Sequence, residues 1–480
     1  MDIIVYFCST FLERNILLTQ KKTQKMKKIV FIALALLACG QMKADGVKTT
    51  GDGTTYSFEK LSQTAGSSVT KEGDIYIVTG CDTISAGDHF KIDEGVEVRF
   101  GDDGELLLQG TANLQSTAAR TLLTRSGESE TCFGITVQNE ESVTLVSGLD
   151  FQYVGLRNYS GKGMEVSDCT FQKHNGTQSA ALFLGTDGAE FMISECRFDS
   201  CMKAAIGGAA NFMCPVVIDH CQFYHNSQAN GNIPQLNLTA SSDVSILDCT
   251  LEGDSTKYMS GGIAVANWYG VDGLTTTIAN CEVRNSRYGL TTMGVMDVYI
   301  TDNQLINNRY EQNPMNGGSA ISLYDPYYKQ KVYISGNRLE KSLWGITVIG
   351  CGDVNIGKTE VGEDAEDYNP GGNVFVDNGF DGNLYDLYNN SVNTVWAQGN
   401  TWNVATQDST SIEGVIFHKN DDASLGEVIF MPAATESGIQ AHPLLSTPQP
   451  GLYTIGGMRM ESGHLPKGIY IEDGKKKVVR

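Results

Sequence analysis

Two short aromatic clusters carry the clearest binding chemistry in this chain: Asn267-Trp268-Tyr269 and Tyr324-Asp325-Pro326-Tyr327-Tyr328. Trp268, Tyr269, Tyr324, Tyr327 and Tyr328 offer flat apolar rings beside amide and carboxylate groups. That pairing suits sugars, whose axial C–H faces are apolar and whose hydroxyls need polar partners. The same rings would also serve simply to cover loop backbone. A second candidate is a file of polar residues, Asp168, Glu195, His220, Asp248, Asn280 and Asp302. Carboxylates held close together repel unless water or a cation lies between them, and calcium favours such oxygens. The plainer alternative is a hydrated turn edge. Asp219-His220 is a third candidate, because an adjacent carboxylate and imidazole can move a proton. The doublets Asp102-Asp103 and Asp421-Asp422 supply paired acids, but at distant points of the chain.

A repeated phrase must position most of these groups. It reads MEVSDCTF at 164–171, FMISECRF at 191–198, VVIDHCQF at 216–223 and VSILDCTL at 244–251. It continues as TTIANCEV at 276–283, VYITDNQL at 298–305 and VYISGNRL at 332–339, with a degraded VNIGKTEV at 354–361. Start-to-start spacings are 27, 25, 28, 32, 22, 34 and 22 residues, so 22 is one coil and the excess is loop insertion. Between the copies sits a second phrase: GITV at 134–137, ALFL at 181–184, QLNL at 235–238 and GIAV at 262–265. GLTT at 289–292, AISL at 320–323 and GITV at 345–348 continue it. Alternation within each phrase is the period of strands with one buried face. In the first copy Met164, Val166, Cys169 and Phe171 point inward, and the three-residue step from 166 to 169 demands a turn. Such units bury their edges only by stacking.

The pattern predicts an all-β chain wound as a right-handed parallel β-helix of roughly a dozen coils, with rungs about 4.8 Å apart. The polar file then lines one turn at steps of about 5 Å. The two aromatic clusters leave equivalent strands two coils apart, so they emerge on one flank about 10 Å from each other, near the repeat of a β-linked disaccharide. Cys169, Cys196, Cys221, Cys249 and Cys281 share one inward position, which Asn303 and Asn337 then take over. A straight file of thiols lacks tetrahedral metal geometry. Neighbouring rungs lie within disulfide reach, yet five members cannot pair completely, and mostly free buried thiols are expected.

Composition agrees. Gly is abundant at 53 and Pro scarce at 10 in 480 residues, as many strands joined by tight turns require. A net charge of -21 argues against nucleic-acid binding, which needs a basic face.

The repeat resembles the parallel β-helix family that includes pectate lyases and polygalacturonases, over about residues 71–432. That resemblance implies the fold and leaves the activity open, since the family hosts enzymes, binding proteins and adhesins. Val217-Ile218-Asp219-His220 is similar to a pectate-lyase segment, with Val217 where that segment has Trp. No R-x-P-x-x-R segment follows, and the polygalacturonase N-T-D, G-H-G and R-I-K motifs are missing. Asp219 and His220 therefore stand as catalytic candidates without their usual company.

The ends read as processing segments. Lys27-Lys28 and the apolar run Ile29 to Ala38 form a secretory signal beginning at Met26, within a leader over 1–44. Two exits are open, lipidation of Cys39 or cleavage after Ala44. Residues 45–70 read as a linker, 433–448 as a second linker. Residues 449–480, with Gly468-Ile469-Tyr470-Ile471 and a Lys-rich end, resemble the C-terminal sorting segments of the type IX secretion system. The expected protein is secreted or held on the outer surface of a Gram-negative bacterium. Its expected partners are a polysaccharide and the secretion machinery, with calcium as the one conceivable cofactor. It binds or helps process polysaccharide, or serves as an adhesive or structural rod, or acts as a lyase or hydrolase with an unfamiliar site.

Overall fold

A computed structural model describes residues 45–127, 132–176, 179–185, 190–208, 215–238, 243–267, 269–311, 313 and 316–434. It also gives strand backbone at 452–454, 459–460, 468–472 and 475–479. Three long sheets, of 14, 14 and 13 strands, run side by side. The chain visits them in constant order, so each strand pairs with the one three places on. The first sheet holds the GITV-type strands, the second the opening half of the eight-residue phrase, the third its closing half. Apart from an antiparallel hairpin, Val69–Glu72 with Ile75–Val78, that opens the third sheet, pairing is parallel, as in Met164↔Phe191↔Val216↔Val244. The fold is a parallel β-helix.

Strict register makes like stack on like. Phe151, Phe171, Phe198 and Phe223 lie face to face at 4.5, 4.8 and 5.1 Å, close to the rung spacing. All four are fully buried, each contributing about 1.5–3 kcal/mol of apolar burial.

The corner between the second and third sheets turns on a single residue. Asp168, Glu195, His220, Asp248, Asn280 and Asp302 all sit there with φ between 47° and 56°. A left-handed residue reverses the alternation at once, which is why the phrase steps by three. The next residue inward forms a ladder. Asn303, Asn337, Asn373 and Asn400 each donate Nδ2–H to an Ile carbonyl of the rung before, at 2.9–3.2 Å. Their Oδ1 atoms accept the N–H of Cys281, Asn303, Asn337 and Asn373 at 2.9–3.0 Å. The thiols imitate this with weaker atoms. Cys221, Cys249 and Cys281 donate S–H to Ile193, Ile218 and Ile246 carbonyls at 3.6–3.7 Å. Contacts with the Cys169 and Cys221 thiols, together with burial, keep Cys196 protonated. The five thiols are free, as the odd count anticipates. A second ladder at the next corner, through Asn226, Asn308 and Asn378, bonds the N–H groups of Cys201, Ser286 and Ser342 at 3.1 Å.

One expectation fails. Residues 45–70 are no linker: Asp45–Lys48 and Thr55–Tyr56 already join the first and second sheets. A short helix, α1 (Phe58–Ser62), then buries Phe58 and Leu61 over the end of the core. The first coil lacks the repeated phrase because it has a neighbour on one side only, so the sequence signal is missing. At the other end a second helix, α2 (Ser409–Glu413), buries Ile412, while Trp402 stacks on Phe375 at 4.8 Å. Both ends of the rod are thus covered, which protects the terminal strand edges. The tail strands form a separate antiparallel four-stranded sheet.

Two stability predictions follow from the buried polar groups. Asn337→Ala strands the Asn303 N–H and the Ile300 carbonyl, so it should cost about 3 kcal/mol or more. Cys249→Ala loses a weaker donor and a small volume and should cost about half of that; equal losses of urea midpoint would contradict the ladder's role. Asp386 is buried, and burial pushes its carboxyl up to about 7, against hydrogen bonds from the Asn403 N–H and the Asn378 amide. The folded state therefore binds the proton more tightly than the unfolded chain, so this group favours folding at low pH and that advantage disappears as pH rises through 7. Asp386→Asn should raise Tm at pH 8 and leave it nearly unchanged at pH 4.

Candidate functional site

The two aromatic loops start from matched positions. Asn267 pairs with Gly294, and the pairing of Met293 with Tyr324 sets Gly294 beside Asp325. Each starting residue pins its own loop. Asn267 donates to the Val271 and Val295 carbonyls at 2.8 and 2.6 Å and accepts the Val271 N–H. Asp325 is buried and accepts the N–H groups of Tyr327, Lys329 and Gln330 at 2.6–2.9 Å. The rung between them turns tightly. Gly294 has φ 91°, and a Cβ there would sit 2.4 Å from the Asn267 carbonyl oxygen. Long loop, tight turn and long loop therefore alternate on this flank. The Lys329 ammonium joins the two long loops through Asp272 at 3.7 Å.

Tyr269, Tyr327 and Tyr328 stand out from these loops at 58, 62 and 48% exposure. Tyr324 is half-buried on the outer face of the first sheet, between Met293 and Ile349. Trp268 lies outside the described residues.

The corner file does not act as one acidic ridge. Asp168 turns to Arg120 at 3.0 Å, which also grips Asp150. Asp302 folds over Gly336, its Oδ1 lying 2.2 Å from where a Cβ there would stand. Among the described residues, His220 and Asp248 of the file bring ligand atoms within 4.8 Å of one another and of the neighbouring Asp219, and Glu195 acts on His220 through its charge. His220 Nδ1 lies 2.7 Å from Asp219. Burial opposes its charge, but the Asp219 hydrogen bond and the Asp219, Asp248 and Glu195 carboxylates outweigh that and raise its pKa. Burial, then Asp219, raises Asp248 in turn, against the pull of His220. A protonated His220 supplies the group's own counter-charge, and the group lies at a corner of the second sheet, apart from the aromatic flank on the first.

Sequence reasoning missed two clusters. Glu413, His418 and Asp421 also converge near the end of the rod. There His418 Nδ1 accepts the Val428 N–H at 2.8 Å, so Nε2 carries the proton and donates to Glu413 at 3.0 Å. This knot fastens the cap. The second cluster is aromatic: Trp344, Phe380, Tyr385, Tyr388 and Phe417 meet on the outer face of the first sheet. Its sequence signal was Trp344 directly before the last GITV phrase, with Tyr385 and Tyr388 at the start of the next strand of that sheet.

The family model for the right-handed β-helix region matches residues 133–305, less than half of the chain. No curated protein matches. Among solved structures, a mutant of the periplasmic alginate epimerase AlgG aligns with 62% of this chain and 82% of its own, at 9% identity and a TM-score of 0.34. The sheet topology and the family match together give a right-handed parallel β-helix, and nothing follows from so distant a structural likeness.

If the corner group is wired as described, His220 titrates above 6.5 by NMR, and Asp219→Asn lowers that value. An unchanged midpoint would show that Asp219 does not govern it.

Proposed function

We propose that this protein is an extracytoplasmic glycan-binding β-helix. The observation that supports this reading best is the paired loops: exposed Tyr269 on one, exposed Tyr327 and Tyr328 on the other, rigidly anchored two rungs apart. Two rungs span about 10 Å, near a disaccharide repeat. Exposed Asp272 and Lys329 on the same two loops supply hydrogen-bonding groups. Backbone anchoring by Asn267 and Asp325 means little ordering entropy remains to be lost on binding. The site holds no arranged acid pair or activated nucleophile among its described residues, so binding is the function that its chemistry supports.

The same proposal covers the route. The signal over Met26 to Ala44 exports the chain, and the tail over 449–480 delivers it to the outer surface through a type IX-like secretion machinery. Calcium at Asp219 and Asp248 would be an accessory to this surface role and not a catalytic ion.

A glycan array identifies the ligand class, and calorimetric titration then tests the loops. Tyr327→Ala and Tyr269→Ala should each weaken binding by about fivefold to tenfold, as one stacked ring is worth about 1 kcal/mol. Tm should barely change, since loop tips add little to the core. Equal affinities in wild type and both variants would leave these rings as loop cover.

A further inference from the structure

We infer that the ring cluster around Trp344 is a second contact point for the glycan, and that it and the Tyr327 loop together hold one uncharged, β-linked oligosaccharide laid along the strands of the first sheet. This rests on the glycan-binding reading above and specifies its direction, length and charge.

Trp344 opens the strand Trp344–Gly350. Its ring centroid lies 4.6 Å from Tyr385, 5.2 Å from Tyr388 and 5.6 Å from Phe380. Tyr388 belongs to the next rung, opposite Thr347, and meets Phe417 at 5.2 Å. Phe380 comes from a small antiparallel hairpin, Gly379–Phe380 with Asn383–Leu384, inserted beside the sheet. Leu384 on that hairpin is 41% exposed. All five rings are half-buried on the outside of the rod, so this is surface and not core. A contiguous apolar patch of this kind on a soluble protein marks an interaction site more often than chance exposure.

The patch connects to the aromatic flank. From Trp344 the strand runs to Ile349, which pairs with Tyr324 on the rung before. Five residues at about 3.3 Å each span about 16 Å, the length of roughly three β-linked sugars. Half-exposed Ser322 and Asn390 lie along this strip and offer a hydroxyl and an amide. Tyr324, Tyr327 and Tyr328 close its far end.

The rim is acidic. Asp381 forms the turn after Phe380, and the charge of Asp422 acts on the Tyr388 hydroxyl. Ser424 hydrogen bonds hold Asp422 well within the ionised range. Glu413 and Asp421 grip His418, directly after Phe417. The nearby Lys419 is engaged by Glu427. With a net charge of -21 on the whole chain, a polyuronate or sulfated chain would be repelled here. An uncharged sugar chain would not.

The test uses the full chain and four β-1,4-linked probes: tetrasaccharides of glucose, mannose and xylose, and tetramannuronate. Calorimetry should find at least one uncharged tetrasaccharide bound, about tenfold tighter than its disaccharide, and tetramannuronate not bound. Tyr388→Ser and Trp344→Leu should each weaken the tetrasaccharide about fivefold or more. If Trp344→Leu lowers Tm markedly, the fluorescence of the Trp268→Phe/Trp396→Phe double variant carries the test. Trp344 is then the remaining indole outside the core, and saturating tetrasaccharide should change its emission. Binding that is lost in Tyr327→Ala but kept in both cluster variants would overturn this inference and leave the loop reading standing. Tight binding of tetramannuronate would overturn the assigned charge. If none of the four probes binds while the array gives another glycan that depends on Tyr327, the inference fails and the loop reading survives.

Discussion

Everything in this molecule depends on one hydrogen-bonded position at the corner between the second and third sheets. A parallel stack has no hairpins to fix its register, and a slip by one residue would turn each strand inside out. The corner prevents this. A left-handed residue breaks the alternation, and the following side chain bonds twice to the rung before. Asn does this with a strong donor and a strong acceptor: Asn337 donates to the Ile300 carbonyl and accepts the Asn303 N–H, both at 2.9 Å. Cys does it with sulfur, which donates and accepts weakly. The change from Cys281 to Asn303 therefore divides the rod into a part tied through sulfur and a part tied through amides.

The division runs through the proposed site, whose Tyr269 loop leaves a coil of the thiol part, between Cys249 and Cys281. The aromatic loop at 324–328, the Trp344 cluster and their strands all lie on coils held by the amide half of the ladder. Side chains that must meet a ligand within a fraction of an ångström need such support. Register then does the rest, since matched strand ends put Asn267 and Asp325 in equivalent places with a tight glycine turn between them. The inside of the coil serves alignment, and the outside carries the aromatic groups of the proposed glycan site.

Much of this was legible in the sequence. The phrase MEVSDCTF and its copies gave the inward positions, the turn residue, the Cys file and its first two Asn successors. The common flank of the aromatic loops followed from the second phrase. What stayed hidden depends on contacts that no local pattern encodes. Asn373 and Asn400 continue the ladder, but insertions before them break the spacing. Arg120 neutralises Asp168 from 48 residues away. The Trp344 cluster assembles only once a hairpin insertion returns Phe380 to the sheet. Residues 45–70 read as linker because a terminal coil needs a cap more than it needs the repeat.

Amide hydrogen exchange on the native protein tests the central claim most directly. The N–H groups of Cys281, Asn303, Asn337 and Asn373 end on amide oxygens, whereas that of Cys196 faces the Cys221 sulfur. The account predicts that the four amide-bonded N–H groups are among the slowest to exchange in the chain, and slower than that of Cys196. Fast exchange at Asn303 and Asn337 while the flanking strand amides stay protected would mean that the ladder does not hold the rungs in register.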